Sequence, residues 1–358
     1  MSATFVAELL IDGKTTGAAE GATFPNINPY TEQELGPTPE AGVADVDAAV
    51  AAARRAFEET KWSQDHAFRG RCITQLREAL QRHVEELREI LVSEVGCPIF
   101  MTRSPMIQLD VPLIYLEDNA EQARTYNFET YMADLERPYG IDRRLIIKEP
   151  WGVAGIITPY NYPIQQLCAK VGPALAAGNT VVLKPSPFTP WSACFVGKIA
   201  AEETDIPPGV LNVLTTTSAE VSEAIVAHPG VDMISFTGST AVGRRIMETA
   251  AQRVKKLFLE LGGKSASIVL DDADIEEVVT GGVFRMSRHS GQGCVNLTRM
   301  LLPRAHYEAG LEIAAAAAAK VPWGDPATRT PTWAPRSASL NSSGCWATSR
   351  RAWPKAAG

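Results

Sequence analysis

The chain has 358 residues, 45% hydrophobic and 21% charged, with a formal net charge of −7. That length accommodates two domains of roughly 100–200 residues, and the composition is unlike that of disordered or fibrous chains. The 41 acidic residues outnumber the 34 basic ones, which argues against nucleic-acid binding because phosphate binding needs a basic surface. No apolar run reaches the roughly 20 residues of a membrane span. The start, MSATFVAELLIDGK, lacks the basic region and long apolar stretch of a signal peptide. The six cysteines (72, 97, 168, 194, 294 and 345) are scattered without a C-x-x-C pair, a pattern expected in a reducing, cytoplasmic setting.

Residues 43–58 and 64–95 carry apolar helical spacing and strong helix formers, and Gly96 and Pro98 mark a stop. A third helix is expected over 106–127 and a strand over 143–148. From 151 onward strands and helices alternate: strands 153–158, 180–184, 211–214, 232–236 and 254–260, with helices 163–177, 190–203, 219–227 and 241–251 between them. This pattern predicts an α/β fold with a parallel, Rossmann-type sheet covered on both faces. Strand 265–270, helix 274–288, strand 299–303 and helix 305–319 begin a second, incomplete α/β unit. Asp325 is the last acidic residue, and the 33 residues after it hold five basic residues and three of the seven tryptophans (Trp333, Trp346 and Trp353).

An open α/β sheet places its ligand at the carboxyl ends of its strands. Four such ends carry unusual residues: Asn161 in TPYNYP, Lys184 in KPSP, Gly238 and Gly243 in FTGSTAVG, and Glu260 in ELGGK. Glycines at a helix start let a diphosphate approach backbone N–H groups, yet G-x4-G is also an ordinary βα turn, and a strand-end lysine is commonly a solvated charge. Glu260 follows apolar LFL, a setting expected to raise its pKa toward that of a general base, with a strand-end ion pair as the alternative. Cys294 lies among small residues in SGQGC, where an accessible thiol near backbone donors suits a nucleophile. Cys72, Cys97, Cys168 and Cys194 read as packing residues. His289, five residues before Cys294, fits either a Cys–His hydrolase dyad or a helix-end histidine.

Taken together, PWGVAGIITPYNYP (150–163), LKPSPFTP (183–190), IPPGVLNVL (206–214), SFTGSTAVGRRI (235–246), LELGGKSASIVLDDAD (259–274) and GQGCVNLTR (291–299) resemble the aldehyde dehydrogenase superfamily in order and spacing over residues 1 to about 329. The resemblance implies NAD(P)-dependent oxidation of a small-molecule aldehyde to a carboxylic acid, with a CoA-acylating variant left open. Cys294 would be the nucleophile, Asn161 with the Cys294 backbone N–H the oxyanion hole, Glu260 the base for the hydrolytic water, and Lys170 a support of the hydrogen-bond network. Lys184 and Ser186 would contact the adenosine ribose, Gly238 and Ser239 the diphosphate, and Leu261 the nicotinamide side. Ile157, Thr158, Pro159, Tyr160, Gly209, Phe236, Thr237, Val242 and Gly262 complete the implied cofactor contacts. The implied cofactor is NAD, with NADP open because Pro187 stands where many NAD-preferring members carry a glutamate. Tyr160 stands where tryptophan is common. No metal is implied.

The resemblance divides the chain into an NAD(P)-binding domain (1–129 and 151–261), an oligomerisation arm (130–150) that serves homodimers or homotetramers, and a partial catalytic domain (262–329). Family members continue through an E-x-F-G-P motif that this chain lacks. Residues 330–358 are therefore expected to be an aberrant, disordered tail, out of frame from about 332, in a C-terminally truncated member whose assembly is in doubt. A non-catalytic remnant that at most binds nucleotide is the competing expectation.

Overall fold

A computed structural model describes residues 5–103 and 107–328; the expectations for the 330–358 tail lie outside the described residues. The N-terminal part holds β1 (Leu9–Ile11), β2 (Lys14–Thr16), β3 (Thr23–Ile27) and β4 (Glu34–Pro39), then α1 (Val43–Glu59), α2 (His66–Arg82), α3 (Val84–Val95) and α4 (Asp110–Thr125). Four short strands follow, β5 (Glu129–Tyr131), β6 (Leu135–Arg137), β7 (Gly140–Asp142) and β8 (Leu145–Ile147). The alternating region comprises β9 (Val153–Ile157), α5 (Pro163–Ala177), β10 (Thr180–Lys184), α6 (Trp191–Glu203), β11 (Leu211–Val213), α7 (Ala219–Ala227), β12 (Met233–Gly238), α8 (Thr240–Ala251) and β13 (Lys256–Leu261). Last come β14 (Ala266–Ile268), α9 (Ile275–Ser287), β15 (Arg299–Leu301) and α10 (Tyr307–Ala318).

Seven strands form one sheet in the order β13-β12-β9-β10-β11-β1-β2. β13 through β11 are parallel, as the alternation of strands and helices predicts. β1 and β2 add an antiparallel edge that the sequence reading did not foresee. Successive residues of the central strands enter different cores: Val181 and Leu183 pack toward α2 and α5, Val182 toward α1 and α7, the period-2 division of a sheet buried on both faces. This double cover stops at β13, whose residues alternate exposed and half-buried, with Phe258 55% exposed. The expectation of helices over both faces therefore fails at that edge. β14 and β15 form a separate parallel pair, and β5–β8 and β6–β7 form two antiparallel ladders across 129–147, with Tyr131, Tyr139 and Ile141 exposed.

Two helix expectations need correction. The helix expected over 64–95 breaks at His83, whose ψ of 20° leaves the helical range and whose ring holds Glu86 and Glu203. The helix expected from 106 starts at Asp110.

Register in the sheet is locked at the opposite end from the strand termini that carry the motifs. Asp232 Oδ2 accepts from Val153 N at 2.8 Å and from the Arg54 guanidinium of α1, while Asp232 N donates to Val153 O at 2.9 Å. Gly152 sits at φ +125°, and a Cβ there would fall 2.1 Å from Asp232 Oδ2, so glycine is required for the approach. Replacing Asp232 by Ala should cost about 2–3 kcal/mol, because it leaves the buried Val153 N–H without its acceptor and removes a carboxylate partner of Arg54. A urea unfolding midpoint equal to that of the parent would refute this account.

Candidate active site

The register carries directly to the carboxyl edge: Lys184 pairs with Ile157, Phe236 with Ile157, Thr237 with Glu260 and Gly238 with Leu261. Thr158, Pro159 and Tyr160 continue β9 out of the sheet, with Thr158 N donating to Lys184 O at 3.1 Å and the Tyr160 ring 6.1 Å from that of Phe188. Lys184 and Ser186 are buried. Burial pushes the Lys184 ammonium down to about 8, and Glu40 opposes that shift. Glu40, which sequence reasoning missed, accepts from Thr216 Oγ1 at 2.6 Å and Thr217 N at 2.8 Å.

Two strands away along the same edge, Ser239 caps α8 by accepting from Val242 N at 3.3 Å. The first turn of α8 is exposed and holds no acidic residue, so nothing competes for its positive dipole end. A Cβ on Gly238 would meet Phe236 Cζ at 2.4 Å and one on Gly243 would meet Leu261 Cδ2 at 2.6 Å; these glycines keep the turn narrow. An exposed helix start over a glycine turn, on the same sheet edge as a buried ammonium, fits an anionic nucleotide. Val242 and Gly262 are exposed at this edge. Gly209 is not brought here. It precedes β11 at the amino edge, at φ +83°, where a Cβ would fall 2.5 Å from Ala52 O, so its glycine serves packing on α1.

Asn161, Glu260, Lys170 and Cys294 divide into two contacts. Lys170, on α5, donates to Ser235 Oγ at 3.1 Å and lies 5.0 Å from the Phe258 ring centre. Burial pushes its ammonium down to about 8, with the Glu260 carboxylate pulling the other way. Glu260 itself is exposed, so the buried apolar setting expected for it is absent. On the other side, Asn161 Nδ2 donates to Gln292 O at 2.6 Å, which ties the loop after β9 to the segment bearing Cys294. Cys294 is exposed, whereas Cys72, Cys97, Cys168 and Cys194 are buried, as packing residues should be. A cleft of about 450 Å³ runs beside this segment, walled in part by Tyr162, Arg285, Arg288 and Val295.

The Cys294 segment is reached through a left-handed turn: His289 (φ 51°), Ser290 (φ 55°) and Gly291 (φ 75°). Two non-glycine residues there cost about 1–2 kcal/mol each, so contacts must hold them. His289 is fully buried, and its Nε2 donates to Asn161 O at 2.6 Å. That bond overturns the Cys–His dyad, since the ring proton goes to a main-chain carbonyl. The residue also lies past the end of α9 rather than in it. Gln108, also missed, donates to the same carbonyl at 3.2 Å.

Among the described residues no helix is long and apolar enough to cross a membrane, and no group of three or more His, Cys, Asp or Glu is placed to hold a metal.

The profile of the Aldehyde dehydrogenase family matches residues 16–342. Among curated proteins, a 3-succinoylsemialdehyde-pyridine dehydrogenase of Pseudomonas sp is 40% identical over 300 residues, covering 83% of this chain and 60% of that protein. A betaine aldehyde dehydrogenase of Bacillus subtilis (strain 168) is 36% identical over 307 residues, covering 84% and 60%. A solved mutant of aldehyde dehydrogenase C from Pseudomonas syringae, complexed with NAD+ and octanal, superposes with a TM-score of 0.86 at 35% identity, covering 93% of this chain and 66% of that one. The chain thus spans about 60% of the length of these curated relatives.

Lys170 is expected to lose its proton with a midpoint at about 8, and Glu260→Gln should lower that midpoint further by removing the charge that supports the ammonium. An NMR titration of Lys170 checks both; a midpoint unmoved by the substitution would break the coupling.

Proposed function

Because the chain belongs to the aldehyde dehydrogenase family, we propose that it oxidises a small-molecule aldehyde to a carboxylic acid with NAD, NADP being the alternative acceptor. The observation that carries this reading is the Asn161 amide docked on the Gln292 carbonyl, two residues before an exposed Cys294. It ties the Asn161 side chain to the segment that bears the only exposed thiol among the described residues. The solved relative complexed with NAD+ and octanal supports the choice of cofactor and substrate class.

Lys184 and Ser186 would hold the adenosine ribose, the α8 start at Gly238, Ser239 and Val242 the diphosphate, and Leu261 and Gly262 the nicotinamide side. Ile157, Thr158, Pro159, Tyr160, Phe236 and Thr237 line the edge between. The bound dinucleotide supplies a hydride acceptor. The Cys294 thiolate adds to the aldehyde carbon, forming a C–S bond and moving the carbonyl π pair onto oxygen. An amide has two N–H donors; with one Asn161 proton on Gln292 O, the other is free for that oxyanion, alongside the Cys294 N–H. Preorganised donors of this kind contribute about 3–4 kcal/mol each. After hydride loss the acyl group rests on Cys294 as a thioester. Exposed Glu260 takes a proton from water, which attacks the thioester, and the Cys294 thiolate leaves with the C–S electron pair. The Glu260 carboxylate in turn supports the charge of the buried Lys170 ammonium. The exposed ladders across 130–150 would pair subunits, as a dimer or tetramer.

The test is NAD(P)H absorbance with an aldehyde panel on the full chain. Cys294→Ala should abolish the signal. Glu260→Gln should keep a first-turnover burst while steady turnover falls about a hundredfold or more. Activity surviving Cys294→Ala would refute the mechanism, and nucleotide binding without turnover by the parent chain would leave the binding-only alternative.

A further inference from the structure

The left-handed turn before Cys294 closes on itself through a ring of hydrogen bonds. His289 Nε2 donates to Asn161 O at 2.6 Å, and Asn161 Nδ2 donates to Gln292 O at 2.6 Å. Gln292 N and Nε2 return to His289 O at 3.0 and 3.1 Å. The ring joins two segments 128 residues apart in sequence, and Cys294 leaves it immediately. Buried Gln108 donates to Asn161 O from one side, and the Tyr162 ring lies 5.0 Å from the imidazole on another.

Two features make His289 more than filler. First, its partner is a carbonyl, which can only accept, so the imidazole must carry its proton on Nε2; burial, which pushes its pKa down to about 4, keeps it neutral. Second, this tautomer leaves Nδ1 buried without a partner, a cost that an apolar side chain at 289 would avoid. The molecule bears that cost for the one bond from Nε2. If the bond is cut, the two segments stay joined through the Asn161 side chain on Gln292 O, but the Asn161 main chain loses its direct tie to the strained turn.

The geometry points to His289 as the positioning residue of the nucleophile: its Nε2–H fixes the Asn161 amide at a set distance from the loop that presents Cys294. It neither takes the thiol proton nor touches substrate. The inference rests on the assignment of Cys294 and Asn161 made above.

The test needs no cofactor turnover. In the full chain, an aldehyde that adds reversibly to Cys294 protects it from iodoacetamide, and the concentration giving half-protection reads the stability of the adduct, hence of the oxyanion site. His289→Ala should raise that concentration about tenfold or more, since small misplacements of a donor are costly. His289→Gln, whose amide N–H can reach the same carbonyl, should recover part of the loss and guards against a variant that fails to fold. In the Asn161→Ala background, His289→Ala should add almost nothing. Equal effects of His289→Ala with and without Asn161, or none in either, would overturn the inference. A parent chain whose Cys294 shows no protection by any aldehyde would instead overturn the nucleophile assignment, and the positioning role with it.

Discussion

The relative register of β9 and β12 is the constraint on which the rest depends. One carboxylate sets it: Asp232 accepts from Val153 N while its own N–H returns to Val153 O, and Arg54 of α1 holds the same oxygen. Because side chains alternate faces along a strand, a slip by one residue would exchange the two cores. It would also move Phe236 out of line with Ile157. Gly152 makes the lock tight, since any side chain there would occupy the carboxylate's place. The alignment of the carboxyl edge is thus determined at the far end of the strands.

At the edge itself the two halves of the site are held by different physics. The Lys170–Glu260 half is electrostatic: burial lowers the proton affinity of the Lys170 ammonium, and the Glu260 carboxylate opposes that shift. The Asn161–Cys294 half is mechanical, a strained left-handed turn clamped by directed hydrogen bonds. Charge coupling tolerates small shifts, whereas hydrogen bonds to a fixed carbonyl do not, so the Asn161–Cys294 half carries the tighter geometric specification.

What the sequence discloses follows from how local each signal is. The alternation from β9 to α8 was legible because apolar β-branched runs and helix formers report on their own segment, and the βα turns at FTGS and KPSP followed from strand ends. The N-terminal strands β1–β4 were not, since β1 finds its partner β11 some 200 residues away. Glu260 kept its position but lost its expected burial, because the apolar LFL before it lies on a half-covered edge strand. Gly209 illustrates a glycine whose reason is remote: the carbonyl of Ala52, on another helix, forbids a side chain. Glu40 and Gln108 had no motif to betray them. His289 was noticed for its chemistry as a base, yet its role depends on a carbonyl 128 residues back and on a backbone conformation that no residue type announces.

The distribution of the thiols has a consequence for the molecule's lifetime. Burial pushes Cys72 and Cys168 up to about 12, so those sulfurs stay protonated and shielded, while Cys294 alone among the described cysteines faces solvent. Peroxide damage follows accessibility and thiolate character. Among the described cysteines, thiol oxidation would therefore begin at Cys294, on the surface, before it reached a sulfur packed in the core.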